Sequence, residues 1–538
     1  MDIGSRLELF VDGHLIERLQ GASLKLHEPR LEETALKFDA PWEGSGNHYI
    51  TVFKDGTRYR MYYRAVPGSN VPASGKGWQL LTCYAESEDG IHWTRPNLGI
   101  IEFRGSKDNN IILSAGGDDW GSGAANFAPF KDSNPSAAAG EQYKALGGIS
   151  RGPYAFVSAD AIHWRQKGSG PIMTRNMTPA PMINGFDSHN VVFWEGREQQ
   201  YVCYIRDQYL APGTGERIRG IRRTTSKDFS NWSYPEWIDM GDSPPDQLYT
   251  FSITPYFRAP HIYLAFPKRY LPWRDAELPK IYDEGRGKGL SDSVFMTSRD
   301  GRHWDRTFLE GFVRPGPDPL NWTDRSNYVA WGVVPTAPGE ISLYVLKHFR
   351  LPTIHVRRGV LRTDGFVSVN APYRGGELVT KPLVFRGRRL VVNYATSAAG
   401  GLRVELLGPD MVPVAGYNHR PDRLLGLRPG CRPPRRTTGP AALRAERRRP
   451  VRVSLRGMNL VMNFSTSAAG SLRVEIQDLD RRPLEGYALA DCPEIFGDSL
   501  EQVVHWKSGS DVARLAGRPL RLRFVLKDAD LYTLRFRE

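Results

Sequence analysis

The 538-residue chain is poor in cysteine and has no long apolar stretch. No Cys-x-x-Cys pair occurs, and the cysteines are far apart, at Cys83, Cys203, Cys431 and Cys492. This spacing supports neither a cysteine-based zinc site nor a dense disulfide framework. No run of about 18 apolar residues occurs either, so we expect no membrane-spanning helix.

Signals for export and for nucleotide or metal binding are also lacking. Residues 1–6 contain no apolar core of a secretory signal, so we expect a cytoplasmic protein unless a leader has been removed. The glycine-rich segments 75–77 and 285–289 lack the spacing of a phosphate-binding loop. The adjacent acids Asp118 and Asp119 are weak evidence for calcium. We therefore expect no cofactor and no bound metal.

The charge balance is basic, with 72 Lys and Arg against 59 Asp and Glu, a net charge of +13. Such an excess is typical of proteins that bind nucleic acid. However, residues 418–450 alone hold 10 Arg, one Asp and one Glu, a net +8, together with 6 Pro. The remaining +5 is unexceptional, so neither nucleic acid nor a membrane is an expected partner. Segment 418–450 is interpreted as a disordered insert, or as a segment of chimeric or out-of-frame origin.

A seven-residue motif recurs four times at intervals of about 70 residues, which indicates a repeat architecture. All copies share the pattern Ser-x-Asp-x-x-x-Trp and occupy 87–93, 158–164, 226–232 and 298–304, with a weaker fifth element at 362–366. Each copy follows an alternating, strand-like run. Its Ser and Asp are predicted to cap a turn, and its Trp to begin the next strand.

Two further strand-like runs precede each motif, so each repeat predicts a four-stranded sheet. The fold class that follows is all-β, with a five-bladed β-propeller over residues 1–372 and an antiparallel β-sandwich after it. The segment 7–11 is predicted to close the ring by pairing with the last blade.

The C-terminal part carries a second duplication. Residues 388–417 match 458–487 at 16 of 30 positions, including Thr-Ser-Ala-Ala-Gly in both copies. The first copy predicts a hairpin segment over 373–417, and residues 451–538 predict sandwich strands with one wet face.

The segment 185–194, Gly-Phe-Asp-Ser-His-Asn-Val-Val-Phe-Trp, resembles the Arg-Asp-Pro segment of glycoside hydrolase family 32 and its relatives in family 43. Those families combine a five-bladed propeller with a β-sandwich. The resemblance implies that Asp187 faces the central funnel and stabilises the transition state. Phe186 and Ser188 stand where the family has Arg and Pro. Moreover, the stretches 44–49 and 249–253, which match the positions of the other two family carboxylates, contain no acid.

Cleavage of a glycosidic bond requires an acid for the leaving oxygen and a second carboxylate as nucleophile or base. Because all inner strands of a propeller open into one funnel, these groups can come from distant blades. Besides Asp187, the candidates are Glu43 as nucleophile or base and Asp246 as acid. Asp39 and Asp324 are held in reserve.

Cations at or near the ends of second strands suit an acidic sugar, a sulfate or a phosphate. They are Arg64, Arg206, Lys268, Arg269, Lys347 and His348. The residues predicted to bind the substrate are Asn47, His48, His189, Arg206, Asp207, Lys268, Arg269, Asp324, Arg325, His348 and Trp42.

Three functions stay open at this point, all with a carbohydrate as partner. The first is a glycoside hydrolase that acts on an oligo- or polysaccharide, an anionic one among the options. The second is a carbohydrate-binding propeller without catalysis, which the missing acids suggest. The third is a phosphorylase, which the cations suggest. The oligomeric state is left open.

The insert interpretation makes a prediction for limited proteolysis. Residues 418–450 contain ten arginines and no strand periodicity, so trypsin is expected to cut there first. Mass spectrometry of the earliest fragments measures the site. Full resistance of this segment, with first cuts elsewhere, would contradict the interpretation.

Overall fold

The computed structural model describes most of the chain. The described residues are 1–67, 79–115, 123–148, 152–211, 213–274, 289–386, 390, 392–397, 401–414, 459–478, 480–515 and 521–537. Four features discussed above lie wholly or largely outside them, namely 75–77, 285–289, the Asp118–Asp119 pair and the segment 418–450.

The described residues form β-strands and two short 3-10 helices, Pro319–Asn321 and Ala513–Leu515, and contain no α-helix. The predicted all-β class is confirmed. No helix in the described ranges is long and apolar enough to cross a membrane.

Five antiparallel sheets, named I to V, follow one another along the chain. Sheet I contains His48–Asp55, Arg58–Ala65, Leu80–Ser87 and Ile111–Ala115. Sheet II contains Ala128–Lys131, Tyr143–Gly147, Tyr154–Ser158 and Arg165–Lys167. Sheet III contains Val191–Glu195, Gln200–Leu210, Arg217–Ser226 and Glu236–Trp237. Sheet IV contains Thr254–Tyr256, Ala259–Ala265, Met296–Ser298 and Trp304–Asp305, and beside it lies sheet IVa, with Gln247–Tyr249, Lys268–Leu271 and Leu290–Ser293. Sheet V contains Arg30–Lys37, Tyr328–Val329, Val334–Ala337, Glu340–Lys347 and His355–Arg362.

The chain divides into two compact units. One contains Leu26–Ser368 and Leu455–Glu538, and the other contains Met1–Lys25 and Val369–Ser454. In the second unit Asp2–Gly4 pairs with Val384–Phe385, and Ile16–Gln20 pairs with Glu377–Thr380. Strands Ser23–Leu26 and Val367–Asn370 lie at the boundary. These boundaries differ from the predicted domain 1–372.

The repeated motif forms the predicted turn. In its first copy, Asp89 Oδ1 accepts hydrogen bonds from the backbone N–H groups of Ile91 and His92, and Ser87 Oγ accepts one from Gly90. Gly90 has a φ of 75°, the left-handed conformation that glycine tolerates best. The other three copies repeat the aspartate cap, which confirms that these carboxylates form turns.

Neighbouring sheets are joined through these turns in a closed cycle. Tyr62 of sheet I donates a hydrogen bond to the Ala161 carbonyl of the next turn, at 2.8 Å, and Tyr204 of sheet III donates to that of Gly301, at 2.9 Å. Tyr344 of sheet V donates to the Gly90 carbonyl of the first turn, at 2.5 Å, so the last sheet contacts the first. The remaining links are Tyr201 to Asp132 and Tyr256 to Asp364. This cycle supports the predicted propeller.

The edge of sheet V is covered by a different segment from the one predicted. Residues 7–11 form no strand, and Arg30–Lys37 pairs with His355–Arg362 instead. Both segments contain apolar residues, so the apolar pattern of the sequence does not show which of them pairs with His355–Arg362. Ala35 and Leu36 are buried in the core that sheets I and V share.

The described C-terminal residues form a single three-stranded sheet of Asn459–Gln477, Asp498–Val503 and Arg521–Arg537, not two packed sheets. The second copy of the duplication lies in its long central strand. A turn was predicted at the Thr-Ser-Ala-Ala-Gly segment. Instead, the segment lies within that strand, at a place where the pairing register shifts between Thr466 and Ser471. The first copy forms no hairpin strands in its described part. The difference follows burial, since Leu460 is buried while its counterpart Leu390 is exposed.

The tyrosine that closes the cycle of sheets generates a stability prediction. Tyr344→Phe removes a buried hydroxyl and leaves the Gly90 carbonyl without this donor, which is expected to lower the free energy of unfolding by about 1 kcal/mol. Urea titration measures the change. Tyr373→Phe is the matched control, because Tyr373 is 95% exposed. Equal stability of the two variants would contradict the role of Tyr344.

Candidate functional site

Antiparallel pairing brings the predicted site residues to one end of the sheets. In sheet I, His48 at the start of the first strand pairs with Arg64 at the end of the second. In sheet IVa, Tyr249 pairs with Lys268 in the same sense. A residue that opens a first strand therefore lies beside one that ends a second strand, although they are distant in the sequence.

Two tyrosines and three cations form the centre of the site. The hydroxyls of Tyr49 and Tyr249 hydrogen-bond to each other, and both rings are buried. The Arg64 guanidinium lies 4.7 Å from the ring centre of Tyr49. Lys268 Nζ and the Arg206 guanidinium lie 4.5 and 5.3 Å from that of Tyr249. Cations at these distances are attracted by the electron-rich ring faces, so the two tyrosines hold cations from sheets I, III and IVa together.

Further cations act electrostatically on these groups. We call the whole set the cationic cluster, which consists of Arg64, Arg206, Arg219, Lys268, Arg325 and Arg350. Burial, and next the charge of Arg325, hold the pKa of Lys268 well below its usual value. Burial also lowers the pKa of Arg64.

Asp187 is the partly exposed carboxylate of the site. Arg206 donates to its backbone carbonyl at 2.7 Å and to its Oδ2 at 3.1 Å. The Arg206 side chain is buried, whereas that of Asp187 is 40% exposed. The preceding Phe186 has a φ of 71° and donates its N–H to the Arg206 carbonyl. Asp187 is thus fixed from one side and accessible from the other.

Asp324 is the second carboxylate near the cluster. Arg350 donates to its Oδ1 at 2.5 Å, and the Arg325 guanidinium lies 3.5 Å from its Oδ2. The Asp324 side chain is 11% exposed. Asp324 thus forms ion pairs with two members of the cationic cluster, Arg350 and Arg325.

Asn47 and His48 are buried beneath the site. Both ring nitrogens of His48 and the Asn47 Nδ2 are without a hydrogen-bond partner in the described part of the chain. The His48 ring lies against those of Tyr49 and Tyr328, at centre distances of 4.3 and 4.7 Å. Burial, and next the charge of Lys268, hold its pKa well below the usual value. The neutral imidazole still has one donor and one acceptor to satisfy.

Strained backbone is concentrated at the same strand ends. Tyr49 and Thr250 both have a φ of 54°. This left-handed conformation is an outlier for bulky residues such as Tyr49 and for β-branched residues such as Thr250. Together with Phe186, these residues flank His48, Asp187 and Tyr249. Such strain costs about 1–3 kcal/mol per residue and is found mostly at functional sites.

Glu43 lies apart from this arrangement. Its side chain is completely buried, Arg95 donates to Oε2 at 2.8 Å, and Tyr63 donates to Oε1 at 2.5 Å. Burial raises its pKa, and Arg95 opposes this shift. None of these partners belongs to the cationic cluster. The arrangement is that of a structural carboxylate, which argues against a role as nucleophile or base.

Asp246 and Arg269 belong to a separate network. Arg306 donates to Asp246 at 2.6 Å. Arg269 binds both carboxylate oxygens of Asp292, at 3.0 and 2.7 Å, and is buried. Asp292 also accepts the N–H of Ala468 from the C-terminal sheet. These groups connect that sheet with sheet IVa, so neither Asp246 nor Arg269 is placed to bind a substrate at the cluster.

His189 and Asp207 are also buried and bonded within the protein. His189 is paired with Thr51 and Tyr328, each at 3.1 Å, and burial lowers its pKa to about 3. Asp207 accepts the N–H of Asn184 at 2.9 Å. His189 contacts residues of sheets I and V, and Asp207 forms an ion pair with Arg222 of its own sheet at 3.0 Å, so neither offers a free group.

His348 and Trp42, the last two predicted residues, contact other partners. His348 Nε2 lies 2.5 Å from Asp318 Oδ2. Trp42 Nε1 donates to Asn110 at 2.7 Å, on the side of Glu43 and its partner Arg95.

The sequence reasoning missed Tyr49 and Tyr249 as members of the site. Their positions in the sequence were a usable signal. Tyr49 directly follows the predicted residue His48, and Tyr249 is the first residue of the stretch 249–253, which the family comparison had already singled out. A motif search for carboxylates alone passes over such residues. Among the described residues, no group of three or more His, Cys, Asp or Glu is placed to hold a metal ion.

Comparison with solved structures returns carbohydrate-active enzymes. One structure described as a glycoside hydrolase is 16% identical and has a TM-score of 0.43, and the match covers 65% of this chain and 95% of that one. The fructofuranosidase from Schwanniomyces occidentalis is 10% identical over 88% and 78% of the two chains, at 0.35. A structure reported for the GH130 family of mannoside phosphorylases, which contains glycoside hydrolases, is 13% identical over 69% and 100%, at 0.36. No family model and no curated protein sequence matches this chain. At these values the function rests on the site itself.

Lys347, at the end of a second strand in sheet V, generates a pH prediction. It is buried, donates to Asn327 at 2.7 Å, and has a pKa lowered to about 7, by burial first and Arg357 second. The unfolded chain, with a lysine pKa near 10.4, binds more protons than the folded one between these values, so Lys347 costs stability below about pH 7 and the cost fades toward pH 10.

Lys347→Met is therefore expected to raise the free energy of unfolding at pH 7 by more than about 1 kcal/mol, with a smaller gain at pH 9.5. Urea titrations of both proteins at the two pH values measure this difference. A gain that does not change with pH would contradict the lowered pKa.

Proposed function

We propose that this protein cleaves a glycosidic bond, with Asp187 at the reaction centre. The observation that carries the proposal is the combination of exposure and fixed position of this carboxylate. It is 40% exposed, yet its position is fixed by the buried Arg206 and by a strained backbone at Phe186. A carboxylate that is oriented by the protein but open to solvent is suited to stabilise a cationic, oxocarbenium-like transition state.

Asp324 is the proposed second carboxylate. Glycoside hydrolysis uses two carboxylates, and Asp187 and Asp324 are the two described carboxylates that form ion pairs with members of the cationic cluster, Asp187 with Arg206 and Asp324 with Arg325 and Arg350. Glu43 and Asp246 were the sequence candidates for this role. The partners of Glu43 and Asp246, Arg95 and Arg306, lie outside the cationic cluster, whereas those of Asp324 belong to it, so Asp324 is the stronger candidate.

A second candidate is carbohydrate binding without cleavage. It is favoured by the two arginines that bind Asp324, because a carboxylate engaged by both Arg325 and Arg350 is less available for proton transfer or attack. Under this alternative, the site binds a glycan and releases no product.

The test is hydrolysis by Asp187→Asn. Wild-type protein is first assayed on a panel of oligo- and polysaccharides for new reducing ends, with and without inorganic phosphate. On a cleaved substrate, Asp187→Asn is expected to reduce kcat/KM by at least about 100-fold, since the lost negative charge acts on the transition state. The unfolding midpoint is expected to stay near that of the wild type.

Asp228→Asn is the matched control, because Asp228 caps an exposed turn in the third motif. It is expected to retain activity. Undiminished hydrolysis by Asp187→Asn would overturn the assignment. Glycan binding without product on the whole panel would favour the binding protein, and cleavage that requires phosphate would favour a phosphorylase.

A further inference from the structure

We propose that the cationic cluster binds the negatively charged group of an acidic sugar, a carboxylate or a sulfate ester. The inference rests on the proposed function, in which Asp187 acts on the same bound carbohydrate. Its basis is a set of buried and partly buried cations without anionic partners.

Three members of the cluster lack an ion pair. Among the described residues, no carboxylate lies within ion-pair distance of Arg64, Arg219 or Lys268. Arg64 makes only two long hydrogen bonds of 3.4 Å, to Asn126 and to the Gly46 carbonyl. Elsewhere, the buried cations of the pairs Lys144–Asp132 and Arg269–Asp292 are neutralised, and the buried Lys347 has a neutral acceptor in Asn327. Arg64, Arg219 and Lys268 differ in that three cations without a described carboxylate partner belong to one cluster.

Lys268 is the most telling of the three. It is 1% exposed, its ammonium group lies 4.5 Å from the ring centre of Tyr249, and no described carboxylate is within ion-pair distance. An isolated buried ammonium group costs several kcal/mol unless a partner compensates it. An incoming oxyanion would be that partner, and the neighbouring Arg325 and Arg64 guanidinium groups can bind it in a bidentate manner.

Neutral polar groups in the same place point to a ligand as well. His48 is fully buried with both ring nitrogens unpartnered, and so are Asn47 Nδ2 and Ser188 Oγ. Hydroxyl groups of a sugar could satisfy such donors and acceptors.

The exposed Asp187 favours an acidic sugar over free phosphate. A phosphate dianion beside this carboxylate would be repelled. An acidic sugar can place its anion against Lys268 and Arg64 and turn a hydroxyl or the glycosidic oxygen toward Asp187. One ligand then provides an anion for the cations and a hydroxyl or glycosidic oxygen for Asp187.

Binding is tested by isothermal titration with D-galacturonic acid, D-glucuronic acid and N-acetylglucosamine 6-sulfate as probes. The neutral counterparts D-galactose, D-glucose and N-acetylglucosamine, and inorganic phosphate and sulfate, form the comparison. At least one acidic sugar is expected to bind at least about tenfold more tightly than its neutral counterpart, and the affinity should fall with added salt.

Lys268→Met is expected to weaken binding of the acidic sugar by at least about tenfold without loss of thermal stability, because it replaces a buried amine that has no ion-pair partner among the described residues with an apolar side chain of similar length. Lys227→Met is the matched control, since Lys227 is exposed in the third turn motif. Binding should also take up a proton, because an anion restores the charged form of Lys268. Titration in buffers of different ionisation enthalpy measures this uptake, which Lys268→Met should abolish. The groups that face Lys268 and enter this balance are Asp324, Arg219, Arg325, Arg350, Tyr249 and His48.

Equal binding of neutral and acidic sugars, or no binding of any probe, would overturn the inference. Binding of phosphate or sulfate alone would also overturn it, in favour of an inorganic anion site. Because these measurements require no cleavage, they separate the two proposals. Cleavage of a neutral substrate through Asp187 would leave the proposed function intact and refute the acidic sugar.

Discussion

The site depends on one constraint, the antiparallel register of the first two strands in each sheet. This register places His48 opposite Arg64 and Tyr249 opposite Lys268, so each sheet presents the start of one strand and the end of the next together. The closed cycle of tyrosine-to-turn hydrogen bonds then holds the sheets side by side. Residues separated by about 200 positions meet because of these two features, and no local sequence motif is needed to assemble them.

The distribution of ion pairs separates structural charges from those of the site. Glu43 with Arg95, and Asp292 with Arg269, are buried pairs in which each charge has its partner within the protein. Such pairs contribute specificity to packing and leave nothing to offer a ligand. Lys268 is equally buried, but no carboxylate among the described residues pairs with it. Charges that the fold leaves uncompensated mark the place where an external partner is expected.

The fold was predictable from the sequence to the extent that local chemistry repeats. The Ser-x-Asp turns recur with the same caps, so their count and spacing identified the sheets. Partner choice was not predictable in the same way. Nothing in the sequence near Glu43 shows that Arg95 will neutralise it. Likewise, the two copies of Thr-Ser-Ala-Ala-Gly differ where both are described, because Thr466 and Ser467 are buried whereas Thr396 and Ser397 are exposed.

The basic charge of the chain also shows that the sequence alone does not reveal which charges will be paired. Of the net +13, segment 418–450 contributes +8, which says nothing about the site. The site contains only six cations, a small share of the 72 in the chain, and three of them, Arg64, Arg219 and Lys268, have no described carboxylate within ion-pair distance. Electrostatic recognition depends on uncompensated charge at a given point in space and on the dielectric around it. A composition therefore identifies a basic protein, whereas the arrangement of Arg64, Lys268 and Arg325 around two tyrosines shows where buried positive charge is concentrated.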